Sequence, residues 1–122
     1  MKIIKADLVP KEPAIDPLFT GGKVTRQPLV SPEIVGRHPN IAIVNFSKGA
    51  RTKFHTHTSD QALIVTAGKG IVATEQEERI VSPGDIVFIP AGEKHWHGAT
   101  KNSGFSHIYV FSTGSETKQL ED

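Results

Sequence analysis

A chain of 122 residues has room for one hydrophobic core and none for a second catalytic unit. Its formal net charge of +1, with 14 basic residues scattered along its length, supplies neither the basic stripe of a nucleic-acid binder nor a membrane-surface helix. Cysteine is absent, which excludes disulfides, thiolate metal sites and a cysteine nucleophile, and suits a reducing cytoplasm, the expected location.

Residues 1–22 are rich in proline and charge and read as an N-terminal arm or extended edge segment. The apolar stretch in MKIIKADLVPKEP is broken by Lys5 and Asp7, too short for a signal h-region, and no later segment is long enough to span a bilayer. From residue 23 short β-branched runs alternate with turn residues, and 11 Gly and 8 Pro are spread throughout, which predicts an all-β sandwich or barrel. Strands are predicted at 23–30, 40–46, 62–66, 71–74, 85–89 and 106–111. Turn signals stand at Gly21-Gly22, Gly68-Lys69-Gly70, Pro83-Gly84 and Pro90-Ala91-Gly92. The runs ALIVTA and DIVFIP are almost continuously apolar, the pattern of strands covered on both sides, as in a barrel with a packed outer arm. Residues 114–122 (GSETKQLED) are polar and read as a frayed or weakly helical tail. The expected organisation is an arm at 1–22, a barrel at 23–113 and a tail at 114–122.

Five of the six histidines form a pattern. In an extended chain, residues two apart point to the same side, so His55 and His57 project together as a bidentate clamp for a divalent ion. Gln61 opens the run ALIVTA, and its amide oxygen supplies a neutral third ligand if a short loop brings that strand alongside. His95 and His97 repeat the geometry after the Pro-Ala-Gly turn, with Trp96 facing the other way. The two pairs are candidates to meet inside one barrel. His107 shares a strand side with Phe105, Tyr109 and Phe111, and both core packing and a site role are open to it. His38, beside Pro39, reads as an exposed loop residue.

These residues resemble the cupin family. Its first motif (Gly, five residues, HxH, three or four residues, Glu, six residues, Gly) is matched by GARTKFHTHTSDQALIVTAG at 49–68, with Gln61 in the Glu position. Its second motif (Gly, five residues, Pro-x-Gly, two residues, His) is matched by GDIVFIPAGEKH at 84–95. The usual later Asn is absent, and Ala99 stands there. HTH followed by Gln, LIVTAG, GEKHWHGA and a late SHI resemble a bacterial subgroup that includes manganese-dependent hydroxynitrile lyases. The stretch Asp16-Pro17-Leu18-Phe19 also resembles that group.

The resemblance implies a small single-domain cupin, a double-stranded β-helix or jelly-roll barrel with an N-terminal arm. It implies one divalent metal per chain on His55, His57, Gln61 and His95, with His97 and His107 facing the substrate as catalytic residues. Manganese comes first, and iron, nickel or zinc also suit the donors. A neutral Gln in place of Glu leaves the ion its full charge and makes it a stronger Lewis acid. The expected activity is metal-assisted acid–base chemistry on a small hydroxyl or carbonyl compound, including cyanohydrin cleavage. His97 acts there as a proton acceptor or as an orienter of a ligand. The alternatives are an iron- or manganese-dependent dioxygenase and a non-catalytic small-molecule-binding module. A homodimer is expected, because edge strands of so small a barrel need covering and the arm could pair with a partner sheet.

Overall fold

The computed structural model describes residues 1–30 and 39–122; His38 therefore lies outside the described residues. Among these there are thirteen strands, one 3-10 turn (Ala6–Leu8) and no α-helix. The first sheet has six antiparallel strands in the spatial order β1 (Glu12–Pro13), β3 (Val24–Val30), β4 (Asn40–Phe46), β12 (Phe105–Phe111), β7 (Gln61–Gly68) and β10 (Ile86–Ile89). The second runs β2 (Phe19–Thr20), β5 (Arg51–Thr52), β11 (Trp96–Ala99), β8 (Gly70–Ala73) and β9 (Glu78–Val81). A two-stranded ribbon pairs β6 (His55–His57) with β13 (Thr117–Gln119), and completes the jelly roll.

All six predicted strands are present, with ends displaced by at most a few residues. Their register explains what faces inward, since residues directly opposite in an antiparallel pair share a face. Across the six-stranded sheet, Arg26, Val44, His107 and Val65 form one inward row. Pro28, Ala42, Tyr109, Leu63 and Val87 form the next, and Asn40, Phe111, Gln61 and Ile89 the one after. The apolar core, which includes Val24, Phe46, Val65, Ala99 and Phe105, continues these rows toward the barrel's closed side. Phe46 is its centre: its ring lies 5.9 Å from Phe105, 5.8 Å from His97 and 5.7 Å from His107.

Three sequence expectations need correction or refinement. The tail is not frayed or helical. Thr117–Gln119 pair with the HTH strand, and Leu120 N–H donates to the Phe54 carbonyl at 2.8 Å. The two apolar runs are not covered on both sides either. Outward rows of Ile43, Ile108, Ile64 and Ile86, and of Ile41, Val110, Ala62 and Phe88, run across the sheet, and Ile86 and Phe88 are 69% and 64% exposed. The N-terminal arm pairs within its own chain, β1 on β3 and β2 on β5. Gln27 ties that arm down by donating to the carbonyls of Val9 and Ala6, so it covers only the β3 side of the outer face.

Candidate metal centre and its cavity

The site is assembled by backbone pairing. His55 and His95 exchange both backbone hydrogen bonds, N–H to C=O at 2.9 and 3.1 Å, which sets their side chains side by side with ring centroids 4.3 Å apart. His57 follows on the same face of β6, 4.8 Å from His55. The turn ahead of His95 is fastened to that strand: Gly92 N–H donates to the His57 carbonyl at 2.9 Å and Ala91 N–H to Asp60 Oδ1 at 2.8 Å. Gly92 has φ of +81°, which only glycine adopts without strain. Trp96 faces away from the site, beneath the Arg51 guanidinium 4.6 Å from its ring, and this leaves His97 to turn inward. Thr52 Oγ1 accepts the His97 N–H.

Each of the three histidines on this ridge is held by its Nδ1 atom. His55 Nδ1 contacts the Lys53 carbonyl at 2.7 Å, His95 Nδ1 the Glu93 carbonyl at 2.9 Å, and His57 Nδ1 the Thr117 hydroxyl at 2.8 Å. A carbonyl only accepts, so Nδ1 of His55 and of His95 carries the proton and Nε2 is a bare donor atom. His57 Nε2, His95 Nε2 and Gln61 Oε1 are all buried without a hydrogen-bond partner. Buried lone pairs rarely go unsatisfied, and this set of neutral nitrogen and oxygen donors fits a divalent ion. A second grouping exists: ligand atoms of His55, His95 and His97 all lie within 4.8 Å of one another.

Across the cavity His107 Nε2 and His97 Nδ1 are hydrogen-bonded at 3.0 Å. His107 is fully enclosed, so its place in the strand gives it a site position as well as a core one. A cavity of about 360 Å³ opens over His55, His57, Gln61, His97 and His107, with Arg26, Asn40 and Tyr109 on its far wall and Ser115, Thr117 and Gln119 along its rim. His95 joins through its contacts with His55 and His57. All six residues expected at the site are thus buried in one cluster.

Electrostatics keep the cluster neutral. Burial, reinforced by the neighbouring His95, lowers His55 to about 3 against the partial rescue of its bond to Lys53. Burial and His95 bring His57 to about 4, with the Gln61 side chain pulling the other way. Burial lowers His95 too, opposed by Glu93. His97 falls well below the ordinary value through burial first and then through His107 and the other three imidazoles, and burial takes His107 to about 3. Neutral imidazoles are the form that binds metal and accepts protons.

Thr117, Thr52 and Arg26 were not among the residues singled out from sequence. Ser115, Thr117 and Gln119 all line the cavity, but Thr117–Gln119 are exposed throughout and merely polar, so nothing in the residues alone sets them apart.

The Cupin domain family model matches residues 42–111. Among characterised proteins the chain is 47% identical over 72 residues to an (R)-mandelonitrile lyase of Granulicella tundricola, covering 57% of this chain and 53% of that protein. It is 29% identical over 85 residues to an acireductone dioxygenase of Trichormus variabilis, covering 66% of this chain and 47% of that one. The chain spans about half the length of these relatives. A cupin-like protein of Thermotoga maritima superposes with a TM-score of 0.84 at 33% identity, over 95% of this chain and 90% of its own. A polyketide cyclase of Streptomyces resistomycificus superposes at 0.86 with 19% identity, over 98% and 85%, a likeness of fold. With the family model laid over more than half of its length and both motif histidine clusters inside the barrel that model describes, the chain belongs to the cupin family.

Proposed function

We propose that this protein is a metal-dependent cupin enzyme acting on a small hydroxyl or carbonyl compound, with lyase chemistry of the cyanohydrin type. The observation that carries this reading is the set of buried, unpartnered donor atoms on His57, His95 and Gln61, on a ridge whose Nδ1 atoms are tied back. His55, His57, His95 and Gln61 are assigned to one divalent ion, manganese first. Bound there, such an ion would supply Lewis acidity toward developing negative charge.

The chain's own residues do the rest. The ring nitrogen of His97 not engaged by His107 takes the substrate hydroxyl proton. The oxygen's electron pair then forms the carbonyl as the carbon–carbon bond to the nitrile breaks, its pair leaving with cyanide. Return of the proton to cyanide completes the balance and restores neutral His97. His107 orients His97 through their hydrogen bond, and enclosure of both rings keeps bulk water from competing for the proton.

The test is elemental analysis of the purified protein together with mandelonitrile cleavage. The expected result is about one divalent ion per chain, lost in His55→Ala, and turnover that falls at least about a hundredfold in His97→Ala while the metal stays. A protein that takes up no ion from any of the four metals would sink the metalloenzyme reading. Full turnover in a metal-replete His97→Ala would remove the proton-acceptor role. A second reading draws on the similarity to several acireductone dioxygenases: an oxygenase, distinguished by oxygen uptake with an enolic substrate.

The working form is proposed to be a cytoplasmic homodimer, associated through the outward rows of Ile41, Ile43, Ile64, Ile86, Phe88 and Ile108. These rows make an apolar face larger than scattered exposed side chains account for. Light scattering should give a dimer, and Phe88→Lys with Ile86→Lys should give a folded monomer.

A further inference from the structure

The six-stranded wall of the cavity, which also carries His107, holds a cation that no carboxylate among the described residues pairs. Arg26 sits in the same inward row as His107, with Val44 between them, so two interstrand steps of about 4.8 Å separate their strands. Its Nε is buried without a hydrogen-bond partner. No carboxylate among the described residues lies within 4.0 Å of its guanidinium, and the one acidic group lining the cavity, Asp16, is engaged in accepting the Leu18 N–H at 3.0 Å. Arg26 has Phe19 beneath it, with 6.0 Å between the guanidinium carbon and the ring centroid, and its charge reaches the Tyr109 hydroxyl.

An arginine kept half-buried with an unpaired Nε costs stability unless something completes it. The groups that complete a guanidinium are planar anions, which take Nε and a terminal nitrogen together as a fork. The neighbours agree: Tyr109 and Asn40 line the same wall and add hydrogen-bonding capacity around one spot. Arg26 is the one Lys or Arg among the described residues lining the cavity, and an acid whose hydroxyl or carbonyl meets the histidine end has its carboxylate left for Arg26.

We propose that Arg26 is the anion-binding residue of this cavity, and that the substrates it prefers carry a carboxylate beside the hydroxyl or carbonyl that reacts. Hydroxy acids and oxo acids are the substrate class. This rests on the reading of the histidine end as the reacting end, and it changes that reading in one respect: a neutral cyanohydrin leaves Arg26 unused, whereas an acid occupies both ends.

Mandelate and mandelamide test it, since they share ring, hydroxyl and shape and differ in charge. Each is titrated calorimetrically into manganese-loaded and into metal-free protein, for the wild type, Arg26→Gln and Arg26→Lys, with metal content measured on every sample. The expected result is that wild type binds mandelate at least about tenfold more tightly than mandelamide, one charge-assisted pair at a partly buried site. Arg26→Gln should abolish that preference and leave mandelamide affinity and metal content within about twofold. Arg26→Lys keeps the charge and loses the fork, so it should retain part of the preference, and it serves if the neutral variant does not fold. A wild type without preference overturns the proposal, as does a preference that survives in Arg26→Gln, which assigns the carboxylate to the metal end. Absence of metal with the Arg26-dependent preference intact would instead remove the metalloenzyme reading alone.

Discussion

His57 is held differently from its two neighbours on the ridge. His55 and His95 rest on carbonyls, which admit one tautomer, whereas His57 rests on the Thr117 hydroxyl, which accepts or donates. Its ring orientation therefore depends on a side chain from the far end of the sequence. Thr117→Val keeps the shape and removes the partner, and metal affinity measured by chelator competition should fall about 10- to 100-fold, with Thr117→Ser restoring most of it. Unchanged affinity in the valine variant would show that His57 needs no support. The inward-facing histidine pairs were legible, because a two-residue spacing on a strand fixes a shared direction without knowledge of the fold, whereas Gln61 depended on a loop bringing its strand alongside and on the family resemblance. Their support was not: carbonyls have no sequence signature, and Thr117 meets His57 only after a long chain excursion. Arg26 escaped for the same reason, since its inward direction follows from register with Val44 and not from composition.

At the scale of the element, the C-terminal strand acts as a clamp. β13 lies along β6, and the Glu121 carboxylate takes both the Phe54 N–H at 3.1 Å and the Arg51 guanidinium. These contacts hold Glu121 below the ordinary carboxylate range, the Phe54 N–H being the largest cause. Arg51 in turn lies over Trp96, so the tail, the first motif and the second motif are joined outside the cavity as well as inside it. Because both partners remain partly open to solvent, the ion pair alone adds little. Loss of the whole strand is another matter. Deleting residues 115–122 removes a cavity wall, Thr117 and several backbone hydrogen bonds, and should cost roughly 2–4 kcal/mol in urea unfolding. The far-UV signal of the main sheets should persist while metal affinity drops at least as far as in Thr117→Val. Five strands of the first sheet and β8 of the second were readable because β-branched runs and glycine turns mark them. The short strands β1, β2, β5, β9 and β11 of the two sheets, and β13, were not, since so few residues carry little pattern and pairing with a neighbour decides their conformation.

Taken whole, the molecule encloses five neutral histidines, and this makes its stability depend on acid. In the unfolded chain each titrates near 6.5, while burial takes His57 to about 4 and His55 and His107 to about 3. The sign follows from proton uptake. Above 6.5 both states are neutral and stability is at its full value; below it the unfolded chain binds protons that the folded one refuses. Stability is lost until the folded histidines charge in turn, each contributing up to about 1.4 kcal/mol per pH unit. Metal-free protein should therefore unfold cooperatively as pH drops from about 6 toward 4, followed by circular dichroism. Replacing His107 with the similarly sized Gln should move the midpoint to lower pH. A midpoint unaffected by that change would mean that other groups drive the transition. Bound metal, which needs the same neutral imidazoles, should shift the midpoint further down until protons displace it.

The backbone exchange between His55 and His95 also bears on how folding would proceed in the presence of metal. Before that pairing forms, the chain holds two independent two-tooth chelators, one at His55 and His57 and one at His95 and His97, each local in sequence and needing no barrel. An excess of free metal would then fill both, one ion apiece, and closing the barrel would require one of the two ions to leave. Refolding in excess zinc should consequently be slower than in the presence of a chelator, although zinc added after folding should stabilise. Trp96, the single tryptophan, sits inside the second of those clips and reports the closure by stopped-flow fluorescence. Equal rates in zinc and chelator would mean that the sheets close before either clip can hold an ion. Slower refolding in zinc would make the order in which this chain meets its metal, and not only its affinity, a determinant of how much active protein forms.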